Sequence, residues 1–575
     1  MFENVILNYL KLDDNKVHNV DELIDSYNQN DMLDVLKDKL MNLRIIDPNC
    51  GNGRYLIDVT RLLFKIHEKL MQYDENPNMT KHAWMVYDSI HGIDRDKHNI
   101  DECKFKLTKI FNEYIPDFTT YYFHAKIIHA NALVEDPLIC PDAFRWSDMF
   151  NNIINNGGFD ICLGNISFNY DKKSMKSWGE YLADNYLTYS NIKNIYSLFF
   201  EKAMNNLKDN GVLSFISPNM FLNSLAQKKI RRYLLTYFID SFFDYRNMDK
   251  TSVFLSDLCM ITLSKINKSN DMINVNNKFT LNQNYLNELR FNFFNREIFE
   301  VYDDIMLRHE YVRDFDFTIT HRGVHAHFNK DFIIDEETYN YLMYHEPESS
   351  HFIKPVIKGC DISKNSIKED NRYVIFLRDD INIQIDEYPF IKNYLYHELG
   401  ESYPNDGYFN EHDYIKNERF EIKDYRNDYK IYENPKIIYP LLNSEIFAIW
   451  DDENYYLFDN LGMITCDDTN MLKLLYAMFN SKVYKFLVHM KMNILGKVTS
   501  VKKDNIETLP FVIPDEARMC LIVENVDKLI NHDYKDNDEK IFLEYKINFL
   551  VYSLFGLSYH EVDVIENYLE QIMLI

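Results

Sequence analysis

Cysteine is scarce in this chain and is never spaced to hold a metal ion. The 575 residues include 8 cysteines, and no two of them form a Cys-x-x-Cys pair. Histidines do not lie near them at the spacing of zinc ligands either. The pattern argues against a zinc site and predicts reduced, mostly buried thiols in an intracellular protein. No metal-binding residues are predicted.

Long apolar runs are also missing. The segment Met1–Asn4 has no basic stretch followed by an apolar core, so it does not predict a signal peptide. No run of about 18 apolar residues occurs, which predicts a soluble protein without a membrane span. Internal repeats and long low-complexity tracts are absent from the sequence as well.

Positive charge is in short supply. Lys and Arg number 63 against 89 Asp and Glu, for a formal net charge of −26. This balance argues against a protein that coats DNA nonspecifically, because phosphate neutralisation supplies much of the affinity of such proteins. A local basic cleft on an acidic body remains compatible with it.

Proline and glycine are few, at 14 and 15 residues, while Asn, Ile, Tyr, Asp and Lys recur throughout. This bias is typical of coding drift in an AT-rich genome, which tends to erase proline and glycine. The 46% hydrophobic content nevertheless predicts a globular protein. The length is enough for two or more domains, each with its own core.

Strand-like and helix-like patterns alternate in the first half of the chain. Strands are predicted at 43–46, 90–94, 125–128, 159–163 and 211–216, and helices at 21–40, 55–65 and 193–208. Such alternation predicts an α/β fold with a doubly wound parallel sheet. Ligands bind such sheets at the carboxyl ends of the strands.

The composition divides the chain into blocks. The predicted boundaries are 1–265 for the first domain, 266–317 for a polar connection, 318–514 for a second domain and 515–575 for a helical tail. The second block contains aromatic strand-like pieces at 436–440 and 446–450. Helices are predicted at 468–490, 515–531 and 539–555.

Polar groups follow the first predicted strand in the loop Asp47–Gly53. Gly51 and Gly53 lack a Cβ and can adopt positive φ, so the backbone can pass close to a bound nucleoside. Asp47 can accept a hydrogen bond from a cationic α-ammonium group. The alternative is a tight strand-to-helix turn without a ligand.

Two later strand ends also carry polar side chains. Asp94 is placed to accept two ribose hydroxyls, and the alternative is a solvated carboxylate. Asn131 can offer its side-chain oxygen to an adenine amino group, and the alternative is an ordinary turn former. Their order on successive strand ends favours a nucleoside site.

The fourth strand runs into Gly164-Asn165-Ile166-Ser167-Phe168. An exocyclic amine is a poor nucleophile because its lone pair is delocalised into the ring. The side chain of Asn165 and the carbonyl of Ile166 can accept its two hydrogens, and Phe168 can stack on a base rotated out of the duplex. The alternative is a plain turn followed by a core aromatic residue.

Together these residues resemble the N6-adenine DNA methyltransferases of type II restriction-modification systems that carry a TaqI-like target-recognition domain. The family patterns are D-P-x-x-G-x-G, G-[IV]-[DE], D-A-L and F-D-x-x-x-G-N-P-P-[YF]. The corresponding residues here are 47–53, 92–94, 131–133 and 159–168, followed by 195–199, 211–219, 244–245 and 253–254. The later matches are 322–324, 329–333, 435–440, 458, 477–482, 509–510 and 544–566.

The resemblance implies a class I (Rossmann-like) methyltransferase domain over 1–265, followed by an α+β target-recognition domain over 318–514. It implies S-adenosylmethionine as cofactor and double-stranded DNA as partner. The implied cofactor-binding residues are Asp47, Gly51, Gly53, Asp94, Asn131 and Leu133, and the implied substrate-binding residues include Tyr196 and Phe254.

Too few residues precede Asp47 for a nuclease domain, so no endonuclease activity is expected. A separate restriction nuclease is compatible with the sequence but is not implied by it.

Three departures from the family pattern bear on activity. The two prolines after Asn165 have become Ile166 and Ser167, Asn131 replaces an aspartate, and Asn19-Val20 stands where a Thr-Pro element is usual. Each lost proline restraint costs about 0.4–1 kcal/mol. The expectation is a weakened methyltransferase. The alternatives are an inactive DNA-binding scaffold and an enzyme that acts on RNA or a protein glutamine.

Two groups of cations are candidates for contact with DNA. The first is Lys228, Lys229, Arg231 and Arg232, and the second is Lys491, Lys497, Lys502 and Lys503. The alternative for both groups is a solvated charged face.

Overall fold

The structure, a computed structural model, divides into two compact units, Met1–Arg296 and Glu297–Leu574. The residues described are 2–12, 17–74, 76–166, 172–190, 195–222, 224–245, 258–266, 271–288, 291–320, 332–364, 366–368, 371–377, 385–401, 429–443, 446–458, 460–492, 499–501 and 503–573.

The first unit alternates helices with strands. Its helices are α1 (Glu3–Leu10), α2 (Val20–Gln29), α3 (Leu33–Asn42), α4 (Arg54–Met71), α5 (Met79–Ser89), α6 (Lys97–Phe111), α7 (Trp146–Met149), α8 (Asn151–Asn155), α9 (Lys172–Asn185), α10 (Tyr196–Asn205) and α11 (Lys228–Leu234). Its strands are β1 (Ile45–Asp47), β2 (Ile90–Asp94), β3 (Ile127–His129), β4 (Phe159–Asn165), β5 (Leu207–Pro218), β6 (Phe238–Asp244), β7 (Leu258–Ser264), β8 (Met272–Val275) and β9 (Phe279–Asn282).

The nine strands form one sheet in the order β3-β2-β1-β4-β5-β7-β6-β8-β9. Strands β1 to β5 run parallel, and β7 lies antiparallel between β5 and β6. This confirms the predicted α/β class. The chain moves outward from β1 to β3 and then returns to the other side of β1 as β4, so the order reverses between β1 and β4. Such a reversal leaves a crevice at the carboxyl ends of the two strands.

Helix α4 shows how the sequence builds this layer. Leu56, Val59, Leu63, Ile66 and Leu70 recur every three to four residues, and all five are buried. This spacing places them on one face of the helix. The helix begins directly after the loop that follows β1, so its packing fixes the position of that loop.

Two predictions for the first unit need correction. The helix predicted over 21–40 is broken into α2 and α3 because Asp31 adopts a φ of +54°. The first domain was expected to end at 265, but β8 and β9 extend its sheet and the unit continues to Arg296. Only alternate residues of β8, Ile273 and Val275, are buried. Because the residues around them are polar, the sequence does not show a clear strand pattern there.

The second unit mixes short strands with helices. Its helices are α12 (Arg296–Arg308), α13 (Glu336–His345), α14 (Pro389–Glu401), α15 (Thr469–Phe479), α16 (Lys482–Met492), α17 (Lys503–Glu507), α18 (Glu516–Ile530), α19 (Asn537–Leu554) and α20 (Tyr559–Met573). Its strands are β10 (Glu310–Tyr311), β11 (Thr318–Thr320), β12 (Ile333–Ile334), β13 (Ile353–Ile357), β14 (Ile362–Ser363), β15 (Ser366–Ile367), β16 (Tyr373–Ile375), β17 (Lys436–Pro440), β18 (Leu442–Asn443), β19 (Ile449–Asp451), β20 (Tyr456–Leu457), β21 (Leu461–Thr465), β22 (Thr499–Ser500) and β23 (Pro510–Phe511).

Two four-stranded sheets lie within the second unit. Their orders are β11-β21-β17-β19 and β12-β16-β13-β20. Lys436 of β17 and Asp451 of β19 form a fully buried ion pair at 2.6 Å, and Tyr432 adds its carbonyl oxygen as a second acceptor at 2.6 Å. This unit is an α+β arrangement, as predicted for the second domain.

The predicted helical tail does not stand apart. Helix α18 packs against α15, and α20 packs against α16, so residues 515–573 belong to the second compact unit. Among the described residues, no helix combines the length and the apolar character needed to cross a membrane.

Candidate active site at the carboxyl ends of the parallel strands

The loop between β1 and α4 has the conformation that its glycines predict. Gly51 adopts a φ of +53° and Gly53 a φ of +83°, both in the left-handed region. A Cβ on Gly53 would lie 2.4 Å from Sγ of Cys103, whereas a Cβ on Gly51 would meet nothing within 4 Å. Gly53 is therefore required for packing, and Gly51 borders open space where a ligand can approach the backbone.

Asp94 holds this loop from the neighbouring strand. Its Oδ2 accepts from the backbone N–H of Gly51 at 2.9 Å, and its Oδ1 accepts from that of Asp96 at 2.8 Å. The side chain is 7% exposed. Asp94 therefore lies beside the loop at the strand end where the sequence predicts it, and its contact with ribose hydroxyls stays a prediction.

Asp47 is a buried carboxyl group at the end of β1. The side chain is fully buried, and its Oδ1 accepts from the backbone N–H of Asn49 at 3.0 Å. Its Oδ2 has no hydrogen-bond partner among the described residues. Burial, with a contribution from the charge of Asp94, raises the pKa of Asp47 to about 8. A carboxyl group in this state favours a cationic partner, which would stabilise its ionised form.

Asn131 and Leu133 form a turn after β3. Oδ1 of Asn131 accepts from the backbone N–H of Leu133 at 3.0 Å, and Nδ2 lies 3.5 Å from Sγ of Cys140. Both Asn131 and Leu133 are buried. The side chain of Asn131 thus shapes the turn, and its predicted contact with an adenine amino group stays a prediction, as does the cofactor contact of Leu133.

Asn165 ends β4 beside the β1 loop and is half-buried. Its carbonyl oxygen accepts from Nδ2 of Asn49 at 3.3 Å, and its own Nδ2 lies 3.5 Å from the hydroxyl of Tyr55. No described residue donates a hydrogen bond to its Oδ1. The backbone N–H of Ile166 donates to the carbonyl oxygen of Ile216 at 2.9 Å, which extends the ladder between β4 and β5.

Several predicted site residues lie outside the described part of the chain. These are Ser167, Phe168, Phe254, Lys497, Lys502 and the segments 253–254, 322–324 and 329–331. Their predicted roles stay predictions.

The residues of the first cationic group, Lys228, Lys229, Arg231 and Arg232, differ in burial. Arg231 is 1% exposed. Its Nε donates to the carbonyl oxygen of Glu288 at 2.6 Å, and its Nη1 donates to those of Phe221 at 2.7 Å and Ser224 at 2.8 Å. The guanidinium of Arg231 is thus buried and bonded to carbonyl oxygens in this fold, and its contact with phosphates stays a prediction.

The other members of this group differ in exposure. Lys229 is exposed and donates to the carbonyl oxygen of Tyr189 at 2.9 Å, and Lys228 is half-buried. Arg232 is exposed and pairs with Glu288 at 2.6 Å. Tyr196 is 1% exposed, so it packs inside the unit and its substrate contact stays a prediction.

The second cationic group is partly engaged inside its unit. Nζ of Lys491 donates to the carbonyl oxygen of Thr508 at 3.0 Å, and burial lowers the pKa of Lys491 to about 8. Lys503 pairs with Glu507 at 3.4 Å. Neither residue presents an unengaged cation.

Sequence reasoning missed two residues that touch Asn165. Asn49 occupies one of the unspecified positions of the D-P-x-x-G-x-G pattern, and Tyr55 lies in the first turn of α4. Neither position carries a local signal, because the contact depends on β1 and β4 lying side by side in the sheet.

Two family models match the chain. Residues 88–254 match the Eco57I restriction-modification methylase, and residues 354–511 match the TaqI-like C-terminal specificity domain. The first range includes Asp94, Asn131 and Asn165 and begins after the Asp47–Gly53 loop.

Individual relatives agree with these matches. The chain is 23% identical over 224 residues to the Type II restriction enzyme and methyltransferase RM.Eco57I of Escherichia coli, across 34% of this chain and 22% of that protein. The aligned part thus spans about a fifth of the curated relative. The Type IIL restriction-modification enzyme MmeI, solved in complex with DNA, shares the fold with a TM-score of 0.61 and 14% identity, over 96% of this chain and 76% of that chain.

Proposed function

We propose that this chain, which joins a restriction-modification methylase domain of the Eco57I type to a TaqI-like specificity domain, transfers a methyl group from S-adenosylmethionine to N6 of adenine in DNA. One observation carries the proposal. The glycine loop after β1 and Asn165 at the end of β4 are in direct contact, because Nδ2 of Asn49 donates to the backbone carbonyl oxygen of Asn165 at 3.3 Å. A methyl donor held by the loop and an amine held by Asn165 would therefore be neighbours.

The residues around the loop suit S-adenosylmethionine. Gly51 leaves open space at its Cα, and Asp47 has a buried oxygen without a hydrogen-bond partner among the described residues. In our proposal Asp47 accepts from the cationic α-ammonium group, and Asp94 accepts from the ribose. When bound, the cofactor supplies a methyl group on a positively charged sulfur.

The strand end would then prepare the amine. Oδ1 of Asn165 accepts one hydrogen of the adenine amino group, and the carbonyl oxygen of Ile166 accepts the other. The two acceptors favour a tetrahedral nitrogen whose lone pair faces the methyl group. The N–H of Ile166, which a proline would lack, is bonded to Ile216, so this donor is turned away from the acceptor side. Stacking of the base on Phe168 is the remaining part of the proposal.

DNA is the proposed substrate because of the TaqI-like specificity domain and because the similar enzyme MmeI was solved in complex with DNA. The sequence departures support a second candidate, an inactive methyltransferase-fold scaffold. Asn165 of the family pattern is retained, and no described residue donates a hydrogen bond to its Oδ1. An acceptor at this position favours the enzyme over the scaffold.

The test is transfer of labelled methyl groups from S-adenosylmethionine to a panel of unmethylated duplex DNA. Asn165→Ala should slow transfer on the order of 10²–10³-fold, as expected for loss of a preorganised polar contact. Asn156→Ala, which removes an exposed amide, serves as the matched control. RNA and protein substrates are assayed in parallel. A folded wild type that labels none of these substrates would favour the scaffold, and an Asn165→Ala variant as fast as wild type would contradict the proposed role.

A further inference from the structure

The segment from β1 to the first turn of α4 touches Asn165 at two points. Nδ2 of Asn49 donates to the backbone carbonyl oxygen of Asn165 at 3.3 Å. The hydroxyl of Tyr55 accepts from Nδ2 of Asn165 at 3.5 Å. One contact holds the backbone and the other holds the side chain. Asn49 lies in the loop proposed to bind the cofactor, and Tyr55 lies just after this loop in the first turn of α4.

Both contacting residues are themselves fixed. The backbone N–H of Asn49 donates to Oδ1 of Asp47 at 3.0 Å, which ties it to the end of β1. The ring of Tyr55 packs edge to face on Phe2, with centroids 5.2 Å apart and planes at 86°. Neither residue is therefore a freely moving surface side chain.

The contact with Tyr55 holds the amide plane of Asn165 through its Nδ2 end. An amide side chain presents an acceptor oxygen on one side and a donor NH₂ group on the other. A half-turn about the terminal torsion exchanges the two groups, and that torsion is broad and roughly two-fold. With Nδ2 directed at Tyr55, Oδ1 is directed to the other side. A tyrosine hydroxyl can both donate and accept, so Tyr55 fixes the plane of the amide. An adenine amino group would then favour the orientation that presents Oδ1 to it.

We propose that Asn49 and Tyr55 are positioning residues that hold the backbone and the amide plane of Asn165 where Oδ1 can accept from the adenine amine, an inference that rests on the proposed function. With the bond from the N–H of Ile166 to Ile216, the strand end is held at three points. These hydrogen bonds restrain the described strand end up to Ile166, where the family pattern has its first proline. Asn49 and Tyr55 thus compensate at Asn165 for the proline that Ile166 replaces.

The experiment compares Asn49→Ala and Tyr55→Phe with matched controls. Asn112→Ala removes an amide donor to the carbonyl oxygen of Phe118 at 3.0 Å, and Tyr87→Phe removes a hydroxyl bonded to the carbonyl oxygen of Tyr122 at 2.6 Å. Single-turnover rates of methyl transfer to duplex DNA are measured at saturating S-adenosylmethionine, with the Kd of the cofactor and the Tm of each variant. All variants are made in the full chain.

Each test variant should lower the transfer rate about three- to tenfold, the range expected for one hydrogen bond that positions a reacting group. The Kd for S-adenosylmethionine and the Tm should stay at the wild-type values, and the controls should transfer at the wild-type rate. Wild-type rates in both test variants would overturn the proposal. A loss of rate that follows a matching loss of Tm or of cofactor affinity would also overturn it, because it would indicate a merely structural role.

Hydrogen exchange gives a readout that does not depend on activity. Exchange in the peptide that contains Gly164 to Ile166 should be faster in Asn49→Ala than in wild type, because the strand end opens more often. Asn112→Ala should not change it. If the wild type transfers no methyl group, the proposed function fails, yet faster exchange would still support the two-point contact. Unchanged exchange would count against the contact whatever the activity.

Discussion

Asp47 and Asp94 are two carboxylates at neighbouring strand ends, and their surroundings differ. Both oxygens of Asp94 accept backbone N–H groups. Asp47 is fully buried, has one backbone donor on Oδ1, and has a raised pKa of about 8 because burial penalises its charge. Paired carboxylates in unlike environments are common where a protein binds or transfers charge. At this site we expect the protonation state of Asp47 to change near pH 8.

Asp47→Asn should therefore change the dependence of stability on pH. Between the ordinary value of 3.8 and about 8, the folded state keeps a proton that the unfolded state has lost. Stability of the wild type then falls as the pH rises through this window, by up to about 1.4 kcal/mol per pH unit. The variant lacks this penalty. Urea unfolding followed by tryptophan fluorescence should show a larger gain in stability from the substitution at pH 9 than at pH 5.

Asp58→Asn is the control for this experiment because Asp58 is an exposed carboxylate on the same unit. Its stability profile should run parallel to that of the wild type. A profile for Asp47→Asn that also runs parallel to wild type would contradict a protonated Asp47. The same substitution should weaken binding of the cationic cofactor, since a neutral amide lacks the charge that attracts the α-ammonium group.

At the scale of elements, Asp160 at the start of β4 connects three segments. Its Oδ1 accepts from the hydroxyl of Tyr9 in α1 at 2.6 Å and from Nζ of Lys208 in β5 at 2.8 Å. Its Oδ2 accepts from the backbone N–H of Arg44 just before β1 at 2.8 Å. The aspartate of the F-D pattern is thus a structural residue, placed at the end of the strand opposite to Asn165.

Asp160→Asn should lower the free energy of unfolding by about 1–3 kcal/mol, because an amide cannot accept from three donors as the carboxylate does. Tyr9→Phe should cost less, about 0.5–1.5 kcal/mol, because it removes one hydrogen bond. In the double variant the two losses should not add, since the residues share that bond. Urea unfolding of the four proteins measures the coupling. Fully additive losses would indicate that Tyr9 and Asp160 act separately.

The elements that the sequence predicts well are those with a local signal. Strands β1, β2 and β4 are short apolar runs that end in Asp47, Asp94 and Asn165, and the loop glycines mark the turn after β1. Strands β8 and β9 were missed because β8 has only two buried residues, separated by the exposed Asn274, and β9 has only one, Leu281. Contacts between elements cannot be predicted from the residues that adjoin each partner in the sequence. Asn49 and Asn165 are 116 positions apart, and only the pairing of β1 with β4 brings them together.

At the scale of the whole molecule, the charge of −26 must be reconciled with a DNA substrate. A net negative body repels DNA at long range, so attraction has to come from local groups of cations whose field acts within about a Debye length. The described structure reduces the number of candidates. Arg231 is buried, Arg232 pairs with Glu288, and Lys491 is bonded within its unit. Among the described candidates, Lys228 and Lys229 at the start of α11 remain; Lys229 is exposed although it donates to the carbonyl oxygen of Tyr189. Lys497 and Lys502 lie outside the described residues.

The double variant Lys228→Gln, Lys229→Gln tests whether this pair contacts phosphates. Each phosphate contact that is lost should make the plot of log Kd against log salt shallower by about 0.9. The matched control is Lys97→Gln with Lys106→Gln on α6, which changes the net charge equally. A shallower slope in the first variant alone would identify a phosphate contact. If both variants change affinity by the same amount and keep the wild-type slope, the lysines of α11 act only through the net charge of the molecule, and the face they form is solvated.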